Sequence, residues 1–180
     1  MLFYSNPLFN PLVTSFKGVI NMSTNQSSIF SPETFLDATT TEESVKRPPL
    51  PAGLELQAMI KSLKTRTWQG KKDPTLGGIA ADLTIEFDLT AYPDIQKQQG
   101  GLDKVTIIDG IMLDLTEGGS IDYSPGKNSK LRRYREATGL NVAGQPFSLR
   151  MLEGRMVKAR IKHDPYEGEI YDKIESVAKV

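Results

Sequence analysis

From Leu54 onward, apolar residues recur mostly at every second position, the spacing of half-buried strands. Leu54, Leu56, Ala58 and Ile60 form the first such run, and the parity then slips across residues 61–63, which predicts a bulge or sharp bend. The stretch KTRTWQGKKDPTLGG follows and reads as a loop, rich in basic residues and glycine. The second strand is the clearest: Ile79, Ala81, Leu83, Ile85, Phe87 and Leu89 share one face. A third places Val105, Ile107, Ile111, Leu113 and Leu115 together, with Asp109-Gly110 as a predicted kink.

The period changes in NSKLRRYREATGLN. Leu131, Tyr134 and Ala137 lie three apart, Asn128 or Ser129 suits a helix start, and Gly139 suits its end. A further strand is expected over residues 147–152, then a turn at Glu153-Gly154. In the next strand Val157, Ala159 and Ile161 face inward, while Met156, Lys158, Arg160 and Lys162 face outward. A last strand covers residues 170–177. Upstream, SPETFLDA predicts a short helix capped by Ser31, and Pro48, Pro49 and Pro51 make an extended linker. Residues 1–47 are thus expected as a flexible arm, with Met22 as the biological start, and 48–180 as the domain, ordered from near Leu54.

Strands followed by a helix and more strands make a mainly β protein. A small sheet of this length can bury its inner face and both edges by curling into a barrel. The closing segment LEGRMVKARIKHDPYEGEIYDKI combines Leu-x-Gly-Arg, an alternating strand, Tyr-x-Gly and Tyr-x-x-Ile. With the stretch from LPAGLELQAMIKSLKTRTWQG onward, it resembles phage-encoded single-stranded DNA-binding proteins of the OB-fold type, over residues 48–180. The resemblance implies a five-stranded OB-like barrel with one short helix between strands three and four. It also implies single-strand binding in phage replication or recombination, in the host cytoplasm, with no enzymatic activity.

Composition narrows the chemistry. Cysteine is absent and His163 is the single histidine, which excludes thiolate sites, cysteine catalysis and a multi-histidine zinc site within one chain. No phosphate-cradling Gly-x-x-x-x-Gly-Lys-Ser/Thr loop is present. No apolar run is long enough to span a bilayer, and no cofactor is expected. The formal net charge of zero hides blocks. Residues 46–72 carry seven basic residues against Glu55, and 123–163 carry ten against Glu136 and Glu153. Between them, residues 73–122 carry ten acids against Lys97 and Lys104.

Single strands are held by cations that track phosphates and by aromatic faces on which bases stack. Three groups fit. The first loop offers Lys64, Arg66, Trp68, Lys71 and Lys72, with Trp68 either a stacking face or packed under the loop. The helix region offers Tyr123, Lys127, Lys130, Arg132 and Arg133, which a solvated helix face would equally explain. Tyr134 belongs with the core. The third group is Arg155, Lys158, Arg160 and Lys162 on one strand face, with Tyr166 beyond. Like charges so aligned repel, and either a phosphate backbone or a cross-strand Glu169 or Glu175 would relieve them.

Asp82, Glu86 and Asp88 make the outer face of strand two acidic, which directs the expected groove to strand one, the basic strand and the loops. The expected partners are single-stranded DNA or RNA, a second copy of the chain, or replication and recombination proteins. Two other readings use the same residues. One is a phage assembly protein that oligomerises through charge-complementary barrel faces. The other is a metal-dependent nuclease built on Asp82, Glu86, Asp88, Asp109 and Asp114, whose spacing is that of a strand face rather than a pocket.

Overall fold

The computed structural model describes Leu36, residues 39–41, Glu43 and residues 45–180. The chain divides into two units, residues 1–44 and residues 45–180. In the first, Leu36 is helical; the rest of the expected SPETFLDA helix, its Ser31 cap and Met22 lie outside the described residues.

The second unit is mainly β. Its elements run β1 (Glu55–Gln69), β2 (Gly77–Asp88), α1 (Pro93–Gln98), β3 (Lys104–Leu113), α2 (Ser129–Ala137), a 3₁₀ turn (Leu149–Leu152), β4 (Met156–Tyr166) and β5 (Glu169–Ala178). All five strands pair antiparallel in one sheet, in the order β3-β2-β1-β4-β5. The two terminal strands, β3 and β5, approach to within 8 Å between Cα atoms without forming a ladder. Helix α2 packs against both. Its Tyr134 and Lys130, Asp109 of β3, and Ile174 and Val177 of β5 surround a cavity of only about 20 Å³.

The inward faces follow the expected alternation. Leu56, Ala58 and Ile60, then Leu83, Ile85 and Phe87, then Val157, Ala159 and Ile161 are all buried, as are Leu131, Tyr134 and Ala137 of α2. The parity slip in β1 is a bulge at Lys61: Ile60 pairs with Ile85, but Ser62 pairs with Thr84. Ladder pairing with β4 ends at Met59, and the amide of Leu63 instead donates to Glu153 Oε1 at 2.8 Å. A second bulge lies at Glu175 of β5: Arg160 pairs with Ser176, but Ile161 pairs with Ile174.

Five expectations need correction. β1 does not stop before Lys64 but runs to Gln69, because Thr65, Thr67 and Trp68 suit a pleated surface and pair with Ala81, Ile79 and Gly78. The loop is therefore only residues 70–76. Its Gly70 is required, because a Cβ there would stand 2.5 Å from the Asp73 carbonyl oxygen. Asp109-Gly110 is no kink, and the β2–β3 ladder passes through it unbroken. Residues 147–152 form no strand but end in the 3₁₀ turn. Helix α1 is a second helix, started by Pro93 at its first position.

Finally, order begins well before Leu54. Leu50 is fully buried, and Asp172 of β5 accepts from its amide at 2.8 Å and from Arg47 at 2.6 Å. His163 Nε2 lies 2.8 Å from the Leu50 carbonyl oxygen, and Lys46 pairs with Glu169. The proline-rich segment forms no helix or strand, and it is strapped to β4 and β5 by these contacts.

The Tyr134 phenol donates to Asp109 Oδ2 at 2.7 Å, and burial beside that carboxylate pushes its pKa upward, so it remains a donor. Tyr134→Phe should lower stability by about 1–3 kcal/mol, because it removes a donor from a buried carboxylate. Urea unfolding followed by circular dichroism measures this, and an unchanged midpoint would contradict the role assigned to the bond.

Candidate nucleic-acid interface

The bulge at Lys61 sets which residues of β1 face away from the core. Beyond it, Leu63, Thr65 and Thr67 pair with the inward-facing Leu83, Ala81 and Ile79. Lys64, Arg66 and Trp68 therefore point outward, opposite Asp82, Ala80 and Gly78. The next row is β3, where Gly110 lies opposite Asp82, and Met112 opposite Ala80. Past Thr67 and Ile79, both exposed, the hairpin projects beyond the core.

This outer face combines basic, aromatic and apolar groups. Arg66 donates to Asp82 at 2.7 Å, and a Cβ on Gly110 would come within 3.1 Å of that carboxylate. The half-buried indole of Trp68 lies across Gly78, and its Nε1 is buried with no hydrogen-bond partner. Trp68 is thus a strand residue with a packing contact as well as a partly exposed surface, not a loop residue. Lys71 and Lys72 sit exposed in the turn. Among the described residues, no carboxylate pairs with Lys64, Lys71 or Lys72. Ile108 and Met112 are 64% and 59% exposed on the same face of β3. Sequence reasoning missed these two, although their even positions in an odd-inward strand were the available signal.

The acids of β2, expected to repel phosphates from this face, are engaged locally. Asp82 holds Arg66. Glu86 is gripped by Lys61 and, at 2.9 Å, by Lys104. Asp88 accepts from the amide and hydroxyl of Thr90. Hydrogen bonds from Lys61 and then Lys104 hold the Glu86 carboxyl below its ordinary range. The acidic face is therefore largely neutralised.

The β4 stripe is partly neutralised in the same way. Its side chains point outward as expected, but Glu55 pairs with Lys158 at 2.8 Å and Arg160 at 3.4 Å, and Glu175 pairs with Arg160 at 2.8 Å. Lys162 faces Lys173 across the β4–β5 ladder, and Tyr166 is 56% exposed at its end. Arg155 donates to the Met151 carbonyl at 3.4 Å. Of the two acids expected to neutralise the stripe, Glu175 does so. Glu169 is held by Lys46 and Tyr171.

The helix group separates into distinct roles. Lys130 is structural, 2.7 Å from the buried Asp109, and Arg132 pairs with Glu136 one turn along. Arg133 is exposed, and Lys127 lies 3.6 Å from Asp114. The guanidinium of Arg135 lies against the rings of both Tyr123 and Phe147. Asn128 precedes the helix but does not cap it with its side chain. It is left-handed (φ 46°), and its amide group binds the backbone of Asp114 and Asp122.

The five carboxylates of the nuclease reading do not converge. Asp109 serves Tyr134 and Lys130, Asp114 accepts from the Asn128 amide, and the three on β2 are engaged as above. Among the described residues, no group of three or more potential metal ligands is clustered. No helix among them is long and apolar enough to cross a membrane. Neither protein-family models nor curated proteins match the sequence.

The grip on Glu86 sets a pH dependence. Its folded pKa is depressed, so its stabilisation is present above the ordinary carboxylate value of about 4.3 and is lost as pH falls through the folded value. Glu86→Gln should therefore be less stable than the parent at pH 7, with the gap closing as pH falls toward 3. Urea midpoints across that range check this; a gap independent of pH would contradict it.

Proposed function

We propose that residues 45–180 bind single-stranded DNA with little sequence preference on an OB-like barrel, through the β1–β2 hairpin and the outer face of β1, β2 and β3. The observation that carries this reading is that Lys64, Lys71 and Lys72, without acidic partners, share the hairpin and outer face with Trp68 and Met112, with the exposed Ile108 further back on the same face. Phosphates would follow the lysines, and bases would lie against the indole and the apolar side chains. The fold supports the reading. The order β3-β2-β1-β4-β5, with a helix between β3 and β4 packed where the terminal strands approach, is compatible with an OB-like barrel. The role in phage replication or recombination rests on the sequence resemblance alone.

The β4 stripe is a secondary part of this surface. A phosphate approaching Lys158 or Arg160 would compete with Glu55 and Glu175, so those two cations gain less from it than the hairpin lysines.

A second reading is favoured by one observation. Ile108 and Met112 are large, apolar and exposed on a terminal strand of the ladder, where another copy could cover them. This is the assembly-protein alternative, and it predicts a stable oligomer with no salt-sensitive affinity for DNA.

Titration with oligo(dT), followed by the fluorescence of the single tryptophan at two salt concentrations and with duplex DNA as control, separates the two. Single-strand binding should quench Trp68, and Trp68→Ala should remove the signal and weaken retardation in a gel. Lys71→Glu with Lys72→Glu should reduce the slope of log affinity against log salt by about 0.7 for each phosphate no longer neutralised. Lys158→Glu with Arg160→Glu should cost less. Salt-independent behaviour, or equal losses from both pairs, would overturn the assignment of the surface to the hairpin.

A further inference from the structure

Away from the hairpin, the loops flanking α2 leave an open groove of about 710 Å³, within the range of small-molecule sites. One wall is the β3–α2 loop with Tyr123 and Lys127. The other is the α2–β4 loop with Asn141, Val142 and Phe147. Arg135 of α2 lies between the walls. Its guanidinium carbon is 5.0 Å from the Tyr123 ring and 4.5 Å from the Phe147 ring. One Arg135 terminal nitrogen donates to the Leu140 carbonyl at 3.3 Å, but Nε is buried without any partner.

Among the described residues, no carboxylate pairs with Arg135. Its nearest acidic neighbour in sequence, Glu136, is taken by Arg132 and Asn141. Arg135 is half-buried, and the cost of its buried, unpartnered Nε without a counter-charge is offset only in part by two aromatic faces. An anion entering the groove would complete the pairing. Lys127, 3.6 Å from Asp114 and half exposed, could turn to the same anion. Tyr123 is 55% exposed and offers a flat face beside it, while Asn141 supplies an amide that can both donate and accept.

We infer that this groove seats a single nucleotide, its phosphate on Arg135 and Lys127 and its base against Tyr123. The inference is separate from the hairpin surface and shares with it only the class of ligand. A nucleotide fits better than a simple anion because the groove offers charge, a stacking face and a hydrogen-bonding amide together.

The test is nuclear magnetic resonance of the whole chain, with backbone amides followed during titration with dTMP, thymidine and inorganic phosphate. The expected result is a set of shifts confined to residues 123–128, 135 and 141–147, with dTMP binding at least about fivefold more tightly than either of its parts. Tyr123→Ala, at an exposed position, should weaken dTMP by a similar factor while leaving the fold intact. Arg135→Gln should abolish the preference for dTMP over thymidine. If Arg135→Gln fails to fold, Val142→Glu, which places an acid in the groove, supplies the same comparison. Shifts confined to the hairpin, or phosphate binding as tightly as dTMP, would overturn the inference. Trp68→Ala distinguishes the two sites: it should spare dTMP binding in the groove whether or not the chain binds oligo(dT).

Discussion

Asp109 is the one charged residue that β3 turns inward, and the attachment of α2 to the sheet depends on it. Its two oxygens are taken by different residues of the helix, the Tyr134 phenol and the Lys130 ammonium. A carboxylate in such a place is tolerable only when it is fully paired, so the helix has one seating rather than a range of them. That seating puts Leu131, Tyr134 and Ala137 into the gap where β3 and β5 approach without hydrogen bonding. It also fixes the two loops that leave the helix, and with them the groove around Arg135. The position of that groove is thus set by a contact on a different face of the helix.

The electrostatics of the sheet follow from pairing across strands rather than from the charge of any segment. β2 is acidic in sequence and β4 is basic, yet neither presents its formal charge. Lysines from β1 and β3 close on Glu86, and acids from β1 and β5 close on the β4 stripe. Lys64, Lys71 and Lys72 at the hairpin, and Lys162 facing Lys173 across β4 and β5, are the cations left without an acidic partner along these strands and the hairpin turn. Exposed ion pairs of this kind contribute little to stability individually, but they decide where the surface field lies.

The periodic parts of the fold were legible in the sequence because their signal is local. Alternation placed β2, β4 and β5, the slip at Lys61 marked the bulge, and a spacing of three marked α2. What failed was non-local. Asp109 looked like a break because its partner Tyr134 lies on a later helix. Leu50 looked like linker because it is flanked by prolines, and only Asp172 of β5 shows why it is buried. The far half of β1 was hidden by its own composition, since Thr65 and Thr67 lie on the core-facing side of the ladder but beyond the core, where both are exposed and no hydrophobic signature is needed. The candidate residues divide in the same way. Their types and outward direction could be read, but which cations are already spoken for depends on Glu55, Asp109 and Glu175, all distant in the chain.

The bulge at Lys61 acts as a phase shifter. Upstream, even-numbered residues of β1 take the core-facing side of the ladder; downstream, odd-numbered ones do, with Leu63 half-buried and Thr65 and Thr67 exposed beyond the core. One inserted residue therefore lets a single continuous strand serve two different surfaces, lining the interior with Leu56, Ala58 and Ile60 and then presenting Lys64, Arg66 and Trp68 to the outside. Without it, the same order of residues would bring two cations and an indole to the inner face and turn the threonines outward. The identity of the outer surface is thus encoded less by which residues β1 contains than by an offset of one position in its reading frame.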